Sequence, residues 1–202
     1  MGKKRIAVFI SGRGSNFKAI SEHIKNGDIN AEIVVVISDN PEAKGIVYAQ
    51  ENRYPTQVFE FRKDTDRVKY FESIMDFLED KDIDLIVLAG FMRVLSENII
   101  NRYKYRIINI HPALLPSFPG THAQRQALEY GVKISGCTVH FVDNGVDTGP
   151  IIKQAAVEVR DDDTEDTLAD RILEKEHIIF PESVKLFCED KLKIEGRRVK
   201  II

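Results

Sequence analysis

The sequence predicts an α/β protein with a Rossmann-like fold, in which helices cover both faces of a mostly parallel, twisted sheet and antiparallel strands are added in the C-terminal third. Short β-rich runs alternate with helical patterns through the first two thirds of the chain, which implies right-handed crossovers and parallel strands. The run EIVVVIS at 32–38 is almost continuously apolar, as is typical of a strand covered on both faces. After residue 111 the alternation stops and two long β-rich runs follow each other.

Apolar periodicity and turn residues predict each element of the first half in order. Strands are expected at 5–11, 32–38, 57–61, 84–90 and 106–110. Helices are expected at 16–27, 43–53, 66–81 and 96–103. The first helix is closed by Gly27, a residue favoured just beyond helix ends. The third helix carries an apolar stripe made of Val68, Phe71, Ile74, Met75 and Leu78.

The C-terminal third predicts a different arrangement. A helix at 122–131, ended by Gly131, is followed by adjacent strands at 135–142 and 150–159 that a tight turn joins. A long helix from about 164 to 190 is expected to be kinked or broken at Pro181. The chain then closes as a hairpin with Gly196 in its turn. We expect one domain over 1–202.

Composition excludes several classes of function. With 43% hydrophobic and 30% charged residues, the chain is neither disordered nor fibrous. A net charge of −3 gives no electrostatic basis for binding nucleic acid or an anionic membrane. Cys137 and Cys188 lack the spacing of a metal site or a disulfide framework. The N-terminal apolar run is too short for a signal peptide and no stretch suits a membrane span, so we predict a cytoplasmic protein.

The motif SGRGSN at 11–16 joins the first strand to the first helix. Gly12 and Gly14 permit a tight turn whose backbone N–H groups can bind an anion at the helix N-terminus. Phe17 stands where a dinucleotide-binding motif has its third glycine, so a plain strand-to-helix turn is an equal interpretation. Asp39 resembles the ribose-binding acid of a dehydrogenase, although a turn residue before Asn40 is the favoured interpretation.

Open parallel sheets bind ligands at the carboxyl ends of their strands. This rule selects SGRGSN, AGFMR at 89–93 and NIHP at 109–112. His111 is a candidate acid or base because its pKa can be tuned near neutrality. Asn109 lies on the same face of the strand and can donate to a developing oxyanion. The alternative is that both residues simply end the strand.

HFVDNGVDTGP at 140–150 supplies two carboxylates in a glycine-rich loop. A carboxylate beside His111 would favour the imidazolium and orient its ring. Asp147 is the better candidate for that contact, since Asp143 opens a plain turn signal. His122, His140 and His177 lack ligand spacing, so we predict no metal and assign them to the core or surface.

Five motifs, in this order and spacing, resemble the phosphoribosylglycinamide formyltransferase family: SGRGSN, VLAGFMRVLS, NIHPALLPSFPG, THAQRQALEYG and HFVDNGVDTGPII. The resemblance implies formyl transfer from 10-formyltetrahydrofolate to the amine of 5-phosphoribosylglycinamide in purine biosynthesis. It implies a nucleotide-binding-like half at 1–111 and a folate-binding and C-terminal half at 112–202. It further implies small-molecule substrates, a monomer or homodimer, and neither metal, nucleic acid nor membrane as a partner.

The resemblance also implies roles for individual residues. The catalytic residues would be Asn109, His111 and Asp147, with Asn109 and protonated His111 stabilising an oxyanion while Asp147 raises the pKa of His111. Substrate would be bound by Gly14, Ser15, Asn16 and Glu176. Folate would be bound by Arg67, Met92, Arg93, Val94 and Leu95, by Asn109, and by the loop of Asp143, Asn144, Gly145, Val146 and Asp147. An exposed helical role for Arg67 and Glu176 stays open, as does the role of Arg13, where some relatives carry Asn.

Three other functions are weighed against this one. A methionyl-tRNA formyltransferase would add a basic tRNA-binding domain, and a formyltetrahydrofolate hydrolase would add an N-terminal regulatory domain; neither is evident in the sequence. A nicotinamide-dependent dehydrogenase would explain Gly12, Gly14 and Asp39 but not Asn109, His111 and Asp147. A non-catalytic nucleotide-binding module would leave that trio as mere turn residues.

Overall fold

Strands and helices alternate from residue 4 to residue 111 in a computed structural model that describes residues 2–202. The elements are β1 (Lys4–Ile10), α1 (Ser15–Lys25), β2 (Ala31–Ser38), α2 (Lys44–Glu51), β3 (Thr56–Val58), α3 (Arg67–Leu78), β4 (Leu85–Leu88), α4 (Glu97–Arg102) and β5 (Ile107–His111). The chain divides into two units, Met1–Ile108 and Asn109–Ile202, so the division falls inside β5. Each unit is described by itself below.

The strands of the first unit lie in the order β3-β2-β1-β4-β5. β1 pairs in parallel with both β2 and β4, and β2 pairs in parallel with β3. The predicted parallel sheet is therefore confirmed. The central strands are buried along nearly their whole length, because helical crossovers cover both faces of a parallel sheet.

The apolar stripe of α3 differs from the predicted one. Phe71, Ile74 and Leu78 are buried as expected, but Val68 is 49% exposed. Tyr70 takes the buried position instead, and its hydroxyl donates to the carbonyl of Phe59 at 2.8 Å. A tyrosine can be buried once its hydroxyl finds an acceptor. Tertiary packing therefore buries a face of α3 that includes Tyr70 instead of Val68.

The second unit contains the antiparallel strands that the sequence predicts. Its elements are α5 (Ala123–Tyr130), β6 (Ile134–Phe141), β7 (Ile151–Glu158), α6 (Glu165–Cys188), β8 (Leu192–Glu195) and β9 (Arg198–Ile201). The strand order is β5-β6-β7-β9-β8, with β6 antiparallel to β7 and β8 antiparallel to β9. The predicted terminal hairpin is confirmed, with Gly196 at a φ of 61° in its turn.

One prediction for this unit is wrong, and a second is wrong in part. β6 and β7 are joined by the loop 142–150, not by a tight turn, because this loop folds around its own carboxylates, as described below. α6 is not broken at Pro181: it is one helix from Glu165 to Cys188, although a proline usually ends or kinks a helix. Pro181 is buried between the buried residues Phe180 and Ser183, and packing of this face holds the helix together. Across residues 2–202, no helix has the length and apolar character needed to cross a bilayer.

Candidate active site

His111 closes β5 in a buried position where one ring nitrogen is already committed. Its exposed fraction is 4%. Nε2 lies 2.8 Å from the backbone carbonyl oxygen of Phe118. A carbonyl only accepts hydrogen bonds, so Nε2 carries the proton and Nδ1 is the nitrogen that exchanges one.

Asp147 faces that second nitrogen. Its Oδ2 lies 3.3 Å from Nδ1 of His111 and also accepts the backbone N–H of Gly120 at 2.8 Å. The backbone of Asp147 has a φ of 54°, in the left-handed region that Asp and Asn tolerate better than other side chains. The structure thus brings together the two residues that the sequence placed 36 positions apart.

The pKa values of this pair move in the same direction for different reasons. Burial lowers the pKa of His111 below 6.5, and it outweighs the opposing effects of the Asp147 carboxylate and the Phe118 carbonyl. Burial acts to raise the pKa of Asp147, but His140, the Gly120 N–H and the charge of His111 together lower it below 3.8. The Asp147 carboxylate does act to raise the pKa of His111, as the sequence analysis expects, but burial is the larger effect, so the resulting pKa lies below the ordinary value.

His140 is a member of this cluster that the sequence analysis assigned to the core or surface. It is 2% exposed, and its Nδ1 donates to the carbonyl of Phe141 at 2.9 Å. That tautomer leaves Nε2 to accept from Nδ2 of Asn109 at 3.2 Å. Nε2 also lies 3.6 Å from Oδ1 of Asp147. A register shift between Val139 and His140 aims the ring here.

The loop 142–150 holds Asp147 through its own side chains. Oδ1 of Asp143 accepts the N–H of Gly145 at 3.1 Å and the hydroxyl of Thr148 at 2.6 Å. A side chain at Gly145 would collide with Thr148, and one at Gly149 would collide with the carbonyl of Phe141. Asp143 is therefore a turn residue that shapes the loop, while Asn144 and Val146 are exposed at its tip.

In the first unit, the loop between β1 and α1 leads into a helix N-terminus. Gly14 is the cap of α1 with a φ of 73° and its carbonyl accepts the N–H of Lys18. Asn16 is buried and Ser15 is half-buried. A Cβ on Gly14 would lie 2.8 Å from Cα of Gly45 in α2, so two glycines allow the helix and the loop to touch.

Asp39 has an ion-pair partner in the segment after β4. Its Oδ2 accepts Nε of Arg93 at 2.5 Å, and its side chain is fully buried. The Arg93 guanidinium also lies 4.7 Å from the centre of the Phe61 ring, a cation–π contact. Asp39 thus lies in the bend after β2, as favoured from the sequence, but its side chain is buried against Arg93 and does not face a ribose.

The remaining candidate residues differ in exposure. After β4, Met92 is 68% and Val94 54% exposed, whereas Leu95 is buried. Arg67 is exposed at the start of α3, one residue after the capping side chain of Asp66.

Glu176 is 7% exposed, which contradicts an ordinary exposed position on a charged helix. Its charge contributes, after burial, to raising the pKa of Cys137 to about 12.

Comparison with known proteins assigns the chain to a family. The formyl transferase family matches residues 4–184. The chain belongs to this family. It is 42% identical to the phosphoribosylglycinamide formyltransferase of Bacillus subtilis over 182 residues, which are 90% of this chain and 93% of that protein. A crystal structure of glycinamide ribonucleotide transformylase 1 from Symbiobacterium toebii has a TM-score of 0.96 and 46% identity, covering 99% of this chain and 94% of that one.

A longer relative also matches the chain. The trifunctional purine biosynthetic protein adenosine-3 of Drosophila melanogaster is 46% identical over 186 residues, which are 91% of this chain. The chain spans only 14% of that protein's length.

Two polar contacts in the structure were missed from the sequence. His140 sits in an ordinary strand pattern, and only its place three residues before Asp143, in the same motif, could have drawn attention to it. Asp39 and Arg93 each follow a strand that ends near the same sheet edge, which was the available signal for their pairing. Within residues 2–202, no group of three or more His, Cys, Asp or Glu side chains is arranged to hold a metal ion.

Proposed function

We propose that this chain is a phosphoribosylglycinamide formyltransferase, which transfers the formyl group of 10-formyltetrahydrofolate to the amine of 5-phosphoribosylglycinamide. The observation that carries the proposal is the buried contact of His111 with Asp147 beside Asn109, in a member of the formyl transferase family. Relatives that bear the name of this activity support the choice of substrates.

Asn109 has the chemistry of an oxyanion donor. Its amide nitrogen is held by Nε2 of His140 at 3.2 Å, which fixes the orientation of the side chain. An amide NH₂ carries two donors, so one hydrogen bonds His140 and the other is available to an oxygen on which negative charge develops. A donor that is already oriented stabilises such charge without reorganisation.

His111 and Asp147 have the chemistry of a proton relay. The lowered pKa leaves His111 neutral at neutral pH, so the ring can accept a proton from an amine that becomes acidic as it attacks. Asp147, 3.3 Å from Nδ1, stabilises the imidazolium that results. We propose that His111 then delivers this proton to the departing nitrogen, with Asp147 ionised throughout.

The start of α1 is proposed to bind the substrate phosphate. Gly14, Ser15 and Asn16 present backbone N–H groups at the positive end of an 11-residue helix. Glu176 is proposed to contact the ribose hydroxyls from the second unit, and its burial indicates that it is not a solvated surface acid.

We propose that the residues after β4, in the first unit, and those of the loop 142–150, in the second, each contribute to folate binding. Met92, Val94 and Val146 expose apolar surface suited to an aromatic ring system. Backbone groups of Asn144 and Gly145, together with Arg93, would supply polar contacts, and Leu95 would supply van der Waals contacts. Arg67 would supply a positive charge for the folate carboxylates. The folate supplies an activated formyl group, and the protein residues orient it and move protons.

Two observations count against a nicotinamide-dependent dehydrogenase. The carboxylate of Asp39 is buried against Arg93, so it does not face a ribose. Phe17 is fully buried in the core, where a dinucleotide-binding motif requires a glycine.

A direct assay tests the proposal. The purified chain is incubated with 10-formyltetrahydrofolate and one of three acceptors: 5-phosphoribosylglycinamide, water alone or methionyl-tRNA. We expect formyl transfer to phosphoribosylglycinamide to be at least about a hundredfold faster than to the other acceptors. The reason is that the other acceptors leave the polar groups that bind the correct substrate unpaired. Faster release of formate in water alone would identify a hydrolase, and faster formylation of methionyl-tRNA would identify the tRNA enzyme.

We also propose that the protein acts in the cytoplasm, as a monomer or homodimer. Cys137 and Cys188 are both free thiols in the structure, which suits a reducing compartment. Because one family matches residues 4–184, we also propose that residues 1–202 act as one formyltransferase domain.

A further inference from the structure

Ser11 follows β1 directly and contacts the segment after β4 at two points. Its backbone N–H donates to the carbonyl of Gly90 at 3.0 Å. Its side-chain Oγ accepts the backbone N–H of Met92 at 2.8 Å. One residue outside the sets proposed above therefore fixes both ends of the turn at 90–92.

Ser11 is itself fixed from its other side. Its carbonyl accepts from Nδ2 of Asn40 at 3.3 Å, and the backbone N–H of Asn40 donates to Oγ of Ser38 at 3.1 Å. The next residue, Gly12, accepts the N–H of Gly45 at 3.0 Å. The start of the loop 12–16 thus has little freedom to move independently of its neighbours.

The contact between Ser11 and Met92 differs from the others in kind. Ala89 donates to the carbonyl of Phe9 at 2.9 Å, so the bond from Ser11 to Gly90 continues the parallel ladder of β1 and β4. The Met92 N–H, one turn further on, bonds to a side chain instead of the backbone. It is the contact that a single side-chain substitution removes without altering the ladder.

We propose that Ser11 is a positioning residue that couples the loop 12–16, called the glycine loop, to the segment 90–95, so that each substrate favours binding of the other. This rests on the proposed function, which assigns the phosphorylated acceptor to the first segment and folate to the second. An acceptor that orders the glycine loop holds Ser11 Oγ in place for Met92. Folate that orders the second segment holds Ser11 in turn, because coupling between two sites is reciprocal.

Calorimetric titration of Ser11→Ala tests the coupling without turnover. The probes are tetrahydrofolate, which has no formyl group to transfer, and 5-phosphoribosylglycinamide. In the wild-type protein, we expect saturating phosphoribosylglycinamide to lower the Kd for tetrahydrofolate. In Ser11→Ala, we expect the Kd for tetrahydrofolate to rise about fivefold to tenfold, the effect of one hydrogen bond, and to lose its dependence on phosphoribosylglycinamide.

Two matched variants and one further measurement separate positioning from simple stabilisation. Ser11→Thr keeps the hydroxyl and is expected to restore both the Kd and its dependence. Ser73→Ala removes another serine hydroxyl of the first unit, which donates to the carbonyl of Lys69 on an exposed face of α3, and is expected to bind as the wild type does. Hydrogen exchange of the Met92 amide in the ligand-free protein should accelerate in Ser11→Ala alone.

Distinct results overturn this proposal and the proposed function. If Ser11→Ala binds tetrahydrofolate with the wild-type Kd and dependence, or if the wild type shows no dependence, Ser11 does not couple the sites. A lower Tm with unchanged Kd values likewise assigns it a purely structural role. If the wild-type protein binds neither probe, the proposed function itself is wrong.

Discussion

Nδ1 of His111 lies 3.3 Å from Oδ2 of Asp147, and the two side chains are only 5% and 13% exposed. The other ring nitrogen donates to the carbonyl of Phe118. Burial favours the neutral ring and the carboxylate favours the charged one, with burial the larger effect. The His111 ring is therefore set to take up a proton when charge develops nearby and to be neutral otherwise, while the lowered pKa of Asp147 keeps its carboxylate ionised.

Asp147→Asn should lower the pKa of His111 further below its ordinary value. The substitution removes the carboxylate that opposes burial, and asparagine tolerates the φ of 54° at this position. A pH titration of the histidine ring protons by NMR measures the shift. A higher pKa in the variant would mean that Asp147 does not stabilise the imidazolium.

His111→Ala and Asp147→Asn should each reduce kcat for formyl transfer by about a hundredfold or more, as for the loss of a general acid or base. Folate binding and fold should be largely retained. Steady-state kinetics and circular dichroism check both. His23→Ala is the matched control, since Nδ1 of His23 lies 3.0 Å from Asp28 in an equivalent but exposed pair. Near-wild-type turnover in either test variant would remove that residue from the mechanism.

The stability of the protein should fall as the pH drops below 6.5. Because the folded state lowers the pKa of His111, the unfolded state binds more protons between 6.5 and the folded value, and protons then favour unfolding. The loss levels off below the folded pKa, and the lowered pKa of Asp147 adds a separate loss below 3.8. Urea unfolding at pH 7 to 5 should show a smaller loss for His111→Gln than for the wild type. Equal losses would mean that His111 has its ordinary pKa in the folded protein.

Gly45→Ala should raise KM for phosphoribosylglycinamide with little change in kcat. The added Cβ would lie 2.5 Å from Cδ1 of Ile10 and 3.2 Å from Cα of Gly14, so the Ile10 side chain must move and the backbone of the glycine loop at Gly14 must give by a few tenths of an ångström. We expect an increase of about tenfold, typical of lost binding contacts that act equally on ground and transition states. Val47→Ala on the exposed face of α2 provides the control. An unchanged KM would show that the loop tolerates the displacement or does not bind the phosphate.

The single variant Arg93→Met should be less stable than the double variant that carries both Asp39→Asn and Arg93→Met. The single change leaves the fully buried Asp39 carboxylate without its ion-pair partner. Because Arg93 is partly exposed, solvent reduces the cost, and we expect about 1–3 kcal/mol from the single variant. The free energy of unfolding from urea titrations of both singles and the double variant gives the coupling. If the two single changes in the free energy of unfolding add up to the change in the double variant, the contact between the two side chains contributes no net stability.

The local pattern of the chain determined most of the architecture. EIVVVIS predicts a strand buried on both faces, and these residues form β2, which spans Ala31–Ser38. The strand that ends at His111 and the glycine-rich segment that carries Asp147 were both evident as motifs. These features depend on apolar periodicity and on turn residues, which are properties of short segments.

Tertiary structure alone decided which polar groups meet and which pKa results. The contacts of His140 with Asn109, of Arg93 with Asp39 and of Ser11 with Met92 join residues 31, 54 and 81 positions apart. Burial, not the neighbouring carboxylate, set the pKa of His111. The physical reason is that a hydrogen bond requires partners within about 3 Å, and desolvation depends on everything packed around a group. Both are fixed by strand register and loop path, not by the residue type alone.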